Sequence, residues 1–87
     1  MPQVFIPPLM RPLTGGRDVV VIDGQNVREL IEHLDLQDPG IRNRLIEGDQ
    51  LRSGLAVAIG TKVSSRGLMS KTQPNDEVHF LPAIGGG

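Results

Sequence analysis

One segment constrains the fold more than any other. Asn26 offers a side-chain oxygen at a helix N-terminus, and Glu29 follows at capping-box spacing. Val27, Leu30, Ile31 and Leu34 then recur at i, i+3, i+4 and i+7, a single apolar stripe. Arg28, Glu29, Glu32 and His33 fall on the wet side, so this helix must lay one face on something flat. Nothing else in the chain has that period over comparable length. Residues 38–50 are broken by Pro39-Gly40, and Ile41, Leu45 and Ile46 there allow only one further short helical turn.

The rest reads as strands and turns. Residues 3–6 (QVFI) form a short strand closed by Pro7-Pro8, which cannot donate to a ladder. RPLTGG (11–16) is turn chemistry, and RDVVVID (17–23) is a β-branched strand. Residues 55–65 read as a strand, a tight turn at Gly60-Thr61 and a short return. Residues 75–84 make the last strand, entered through a Pro74-Asn75 turn. The order β-β-α-β-(β)-β suits one mixed sheet of four to five strands packed on one main helix. That is an α+β fold of the β-grasp, or ubiquitin-like, type. A ferredoxin-like sheet is the competitor and would need a second full helix. The expected division is a domain over residues 1–84 and a glycine tail over 85–87.

Eighty-seven residues amount to one domain. With Phe5 and Phe80 but no Trp or Tyr, the core must be built from Val, Leu and Ile. Nine basic residues against ten acidic ones argue against a nucleic-acid binder, and stacking platforms for single strands are missing. Without cysteine there is no disulfide framework, thiolate metal site or cysteine nucleophile. The first residues lack the layout of a signal peptide and no apolar run has membrane-spanning length, so a cytoplasmic protein is expected.

Catalytic groups are sparse. His33 and His79 have no ligand cluster around them and read as a solvated helix residue and a strand residue. Ser53, Ser64, Ser65 and Ser70 lack a nucleophile-elbow context. Pro-x-Thr-Gly near the N-terminus lacks the flanking features of a sorting signal, and TGGR has neither the lysine nor the spacing of a phosphate loop. Glu47, Asp49, Asp76 and Glu77 read as solvated carboxylates. What remains is the ending, Gly85-Gly86-Gly87. Either it is a frayed stub or its carboxylate is the functional group. Glycine suits entry into a narrow cleft, having no Cβ to clash and access to backbone angles that other residues avoid.

Residues 76–87, DEVHFLPAIGGG, resemble the close of the ThiS/MoaD family of prokaryotic sulfur-carrier proteins: a strand, a Pro, an aliphatic residue, a small residue and Gly-Gly. Pro82, Ile84, Gly85 and Gly86-Gly87 fill that pattern. Residues 6–16, IPPLMRPLTGG, are similar to the first hairpin of the family's cysteine-synthesis subgroup. The resemblance implies a carrier and not an enzyme. A MoeB/ThiF-like (E1-like) adenylating enzyme, using its own Mg-ATP, would activate Gly87. A sulfur source would then leave a thiocarboxylate, for donation to a sulfur-accepting synthase of the cysteine-synthase-like kind. Molybdopterin, thiamin and sulfur-containing secondary metabolites are alternative destinations, and conjugation to other proteins through Gly87 is another. No cofactor is expected on the chain itself, and neither nucleic acid nor membrane among its partners. Alternation turns Val4 and Ile6 to the helix and Phe5 and Pro7 outward. Val78 and Phe80 should be core, with Leu81 exposed given an irregularity before Pro82 of the kind the family has. Phe5, Leu81, Pro82 and Ile84 are the expected partner surface. Residues 60–75 depart from the family in lacking acidic character and carrying Lys62, Arg66 and Lys71.

Overall fold

The computed structural model describes residues 1–83. β1 (Gln3–Phe5), β2 (Val19–Val21), β5 (Leu55–Ile59), β6 (Lys62–Val63) and β7 (Glu77–Pro82) form one five-stranded sheet in the order β2-β1-β7-β5-β6. β1 and β7 run parallel, and the other neighbours are antiparallel. α1 (Val27–Gln37) packs on one face. α2 (Ile41–Leu45) is a single short turn of helix, and β3 (Ile46–Glu47) and β4 (Gln50–Leu51) form a separate two-stranded hairpin. With α2 so short, the ferredoxin-like alternative has no second helix to rest on. The fold is the β-grasp.

The capping logic of α1 is realised with a shift of one residue. The Asn26 carboxamide oxygen accepts from the Glu29 N–H at 2.8 Å. Glu29 reaches back to the Gln25 N–H at 3.1 Å, one residue before the cap itself. The stripe Val27, Leu30, Ile31 and Leu34 is almost wholly buried. Against it lie Val4, Val20, Val57, Val78 and Phe80 from the sheet, closed at one end by Ile41 and Leu45. Gly24 lets this layer approach closely. A Cβ there would stand 2.9 Å from the Leu30 backbone nitrogen.

Between β1 and β2 the chain is a 3-10 segment, Pro8–Thr14, rather than a plain turn. Pro8 and Pro12 lack an N–H and have φ fixed near the helical value, so tight turns replace a ladder. The buried Thr14 hydroxyl holds the exit, lying 3.0 Å from the Arg11 carbonyl and 2.8 Å from the Arg17 carbonyl. Gly15 and Gly16 then take φ of +66° and +87°, left-handed angles that favour glycine. β2 is shorter than residues 17–23. The Arg17 N–H turns to Thr14 and the Asp23 carbonyl meets the His33 ring, so neither extends the pairing. β7 likewise starts at Glu77, because Gln73 to Asp76 close on themselves as a turn.

Candidate functional site

β7 is the middle strand, held by β1 on one side and β5 on the other. Its pairing with β5 runs from Ile59↔Val78 to Leu55↔Pro82, and the Ala83 N–H still donates to the Gly54 carbonyl at 2.8 Å. That last bond fixes the parity of the ladder. The amides of residues 79, 81 and 83 face β5, so the ring nitrogen of Pro82 faces β1, whose pairing has ended at His79. Proline therefore costs no ladder bond there. The scaffold carries its C-terminal segment out from the centre of the sheet.

One mostly apolar row crosses all five strands on the outward face of the sheet. Register places Val19, Phe5, His79, Ala58 and Val63 in one row, one from each strand. Phe5 and His79 stack, with ring centroids 4.2 Å apart and planes 17° from parallel. Leu81, 37% exposed, is the next outward residue on β7. It points out by simple alternation, since Val78 and Phe80 are buried and His79 and Leu81 are not. The expected irregularity before Pro82 is unnecessary. Beside the strand end lies an apolar depression, with Pro7, Pro8 and Leu9 on one wall and Leu55, Leu81 and Pro82 on the other.

The structure thus brings Phe5 and Leu81 onto one face and sets Pro82 at its rim. Ile84, Gly85, Gly86 and Gly87, and with them the boundary at residue 84, lie outside the described residues. Leu9, 84% exposed on the depression's wall, had no place in the sequence reading because an irregular segment has no period to read. His79 was read as an ordinary strand residue, and its position at the centre of the row depends on cross-strand register. Lys62 and Arg66 are exposed, and they share a shallow depression at the far edge with Lys71, Ser64, Ser65 and Ser70. Among the described residues no three His, Asp or Glu side chains gather to hold a metal ion, and no helix is long and apolar enough to cross a membrane. The one His–carboxylate approach among the described residues, His79 to Glu77 at 3.4 Å, is open to solvent.

A model of the ThiS family matches residues 4–87. No curated protein matches the chain. Among solved structures, a chain of the Amycolatopsis orientalis BexX/CysO complex is similar, with 30% identity, TM-score 0.88 and full coverage of both chains. Mycobacterium tuberculosis CysO, described as an antigen, is 29% identical with TM-score 0.87, over 97% of this chain and 100% of that one. Small archaeal modifier protein 1 from Methanosarcina acetivorans shares the fold at 21% identity and TM-score 0.78, over 99% and 95%. The chain belongs to the ThiS family, small β-grasp proteins that serve as sulfur carriers and are not themselves catalysts.

Proposed function

We propose that this chain carries sulfur as a thiocarboxylate on Gly87 and donates it in biosynthesis, with cysteine as the product. The observation that carries this reading is the family match, which runs through the terminal glycines to Gly87, on a scaffold whose central strand leads to them. A carboxylate is a poor electrophile. A MoeB/ThiF-like enzyme would join it to the α-phosphate of its own Mg-ATP, releasing pyrophosphate and forming an acyl-adenylate. Sulfide, or a protein persulfide followed by reductive release, attacks the carbonyl carbon. The bond to AMP breaks, and AMP leaves with the electron pair. The thiocarboxylate sulfur then attacks the β-carbon of an activated, serine-derived acceptor on a cysteine-synthase-like partner, and the activating group leaves with its electron pair. Hydrolysis of the acyl link to Gly87 frees the product and restores the carboxylate. The chain needs no bound cofactor, and with no cysteine it has no thiol that competes for activated sulfur.

The likeness to CysO chains, one of them in a BexX/CysO complex, supports the cysteine-type assignment and a synthase as partner. Phe5, His79 and Leu81 form the docking face for the activating enzyme, with Pro82 and Leu9 at its rim, and Ile84 is assigned to the same surface from its place in the sequence alone. Gly85 and Gly86 supply reach without side chains. The intact chain, incubated with its E1-like enzyme, Mg-ATP and sulfide, should gain the mass of one oxygen-for-sulfur exchange. The exchange should map to the C-terminal peptide. No mass change and no trapped adenylate would refute the carrier reading, while lysine-linked adducts lost on deleting Gly87 would make the chain a protein modifier instead.

A further inference from the structure

The two edges of the sheet are finished differently. At β6 the edge is two residues long, includes Lys62, and is followed by Arg66 and Lys71. Lysines and short strands are common means of keeping an edge from pairing with another chain. At β2 the edge is Val19-Val20-Val21, with no lysine, proline or bulge. Val21 is 52% exposed.

The ladder shows which groups this edge offers. The Ile6 N–H donates to the Asp18 carbonyl at 2.8 Å, and the Ile22 N–H to the Pro2 carbonyl at 3.1 Å. Residues 18, 20 and 22 therefore face β1, and the N–H and C=O of Val19 and Val21 face away from it. None of the hydrogen bonds that the described residues form outside the ladder reaches those four groups. The edge is closed at both ends: the Arg17 N–H is bonded to Thr14, and the Asp23 carbonyl lies 2.6 Å from the His33 Nδ1.

We propose that β2 pairs antiparallel with β2 of a second copy, making a two-fold dimer with one continuous ten-stranded sheet. One register is self-complementary. With the axis through Val20, Val19 of each copy lies opposite Val21 of the other, and all eight free backbone groups pair in four hydrogen bonds. The same register sets Arg17 beside the partner's Asp23 at both ends, opposite charges on exposed residues, although Arg17 also holds Asp38 of its own chain at 2.9 Å and shares its charge with it. A shift by two residues either way leaves a valine facing a charged residue and breaks both charge pairs. The axis stands perpendicular to the sheet, so both helices stay on one side and both outward rows join on the other. β7 lies two strands in from the junction, so neither copy covers the other's tail root. An interface this small makes a weak dimer, with a dissociation constant on the order of 100 µM.

Sedimentation of the intact chain over a concentration series up to about 1 mM is the test. The mean mass should rise towards that of a dimer. Val21→Pro removes an amide that faces away from β1, so the fold should melt as before. Two of the four bonds are lost, and association should weaken about thirtyfold. R17D and D23R should each be monomeric, since each sets like charges opposite one another. Mixing the two should restore association, because both ends are then complementary. A monomer throughout the series would overturn the proposal, as would a V21P chain that associates normally or a mixture that stays monomeric. Association confined to a partner protein's strand would give the first of these results.

Discussion

The chain's two phenylalanines sit on neighbouring strands of the same sheet and do opposite things. Phe80 on β7 points inward, 7% exposed, into a core otherwise made of aliphatic side chains. Phe5 on β1 points outward and stacks on His79, one residue before Phe80 on that strand. The difference is one step of strand alternation, and under the proposed function it separates stability from recognition. The inward ring removes apolar surface from water within the fold. The outward ring, only partly covered by its stack on His79, is the one the proposed function assigns to another protein.

The comparison can be broken or sharpened by substitution. Phe80→Ala should cost the most, about 3–5 kcal/mol in chemical denaturation, because it empties a site bordered by Val57 and α1. Gly24→Ala should cost about 1–3 kcal/mol, since its Cβ would press on the Leu30 backbone and push α1 off the inner face. Phe5→Ala should cost about 1 kcal/mol or less, the stack on His79 being half exposed, yet should sharply raise the carrier concentration that half-saturates its activating enzyme. Leu81→Asp should leave the melting curve within about 0.5 kcal/mol and still impair thiocarboxylate formation. If Phe5→Ala unfolds the protein, or if it is activated normally, the division of labour between the faces is wrong.

What could be read beforehand follows where the chain is periodic. The α1 stripe is long enough for its spacing to be unambiguous, and alternation in the last strand puts Val78 and Phe80 in the core, whereas the sequence reading sets Leu81 outside through an irregularity that the strand does not need. Two-residue strands such as β3 and β4 have no period, and their hairpin is set by contact between Ile46 and Leu51. The prolines at 7, 8 and 12 announced a break, but the 3-10 path depends on a buried hydroxyl, that of Thr14, bridging two carbonyls. The outward row needs cross-strand register, which no single strand contains. Its extension to Leu9 depends on where that 3-10 path leads. The glycine ending stands out in the sequence for the reverse reason, since without side chains glycine has little to offer except reach, and it lies outside the described residues.

The parallel pairing of β1 with β7 has a consequence for how the molecule is made. The strands at the centre of the sheet come from opposite ends of the chain, so the sheet cannot close until residues 77–82 are available. Such long-range closure slows folding relative to helical proteins of the same size. It also ties the carrier's readiness to its completeness. A nascent or truncated chain that lacks β7 has no place to put the inner valines of β1 and no partner for Phe5. The proposed docking face is therefore finished in the same event that anchors β7, and an activating enzyme that read that face would select for folded carriers.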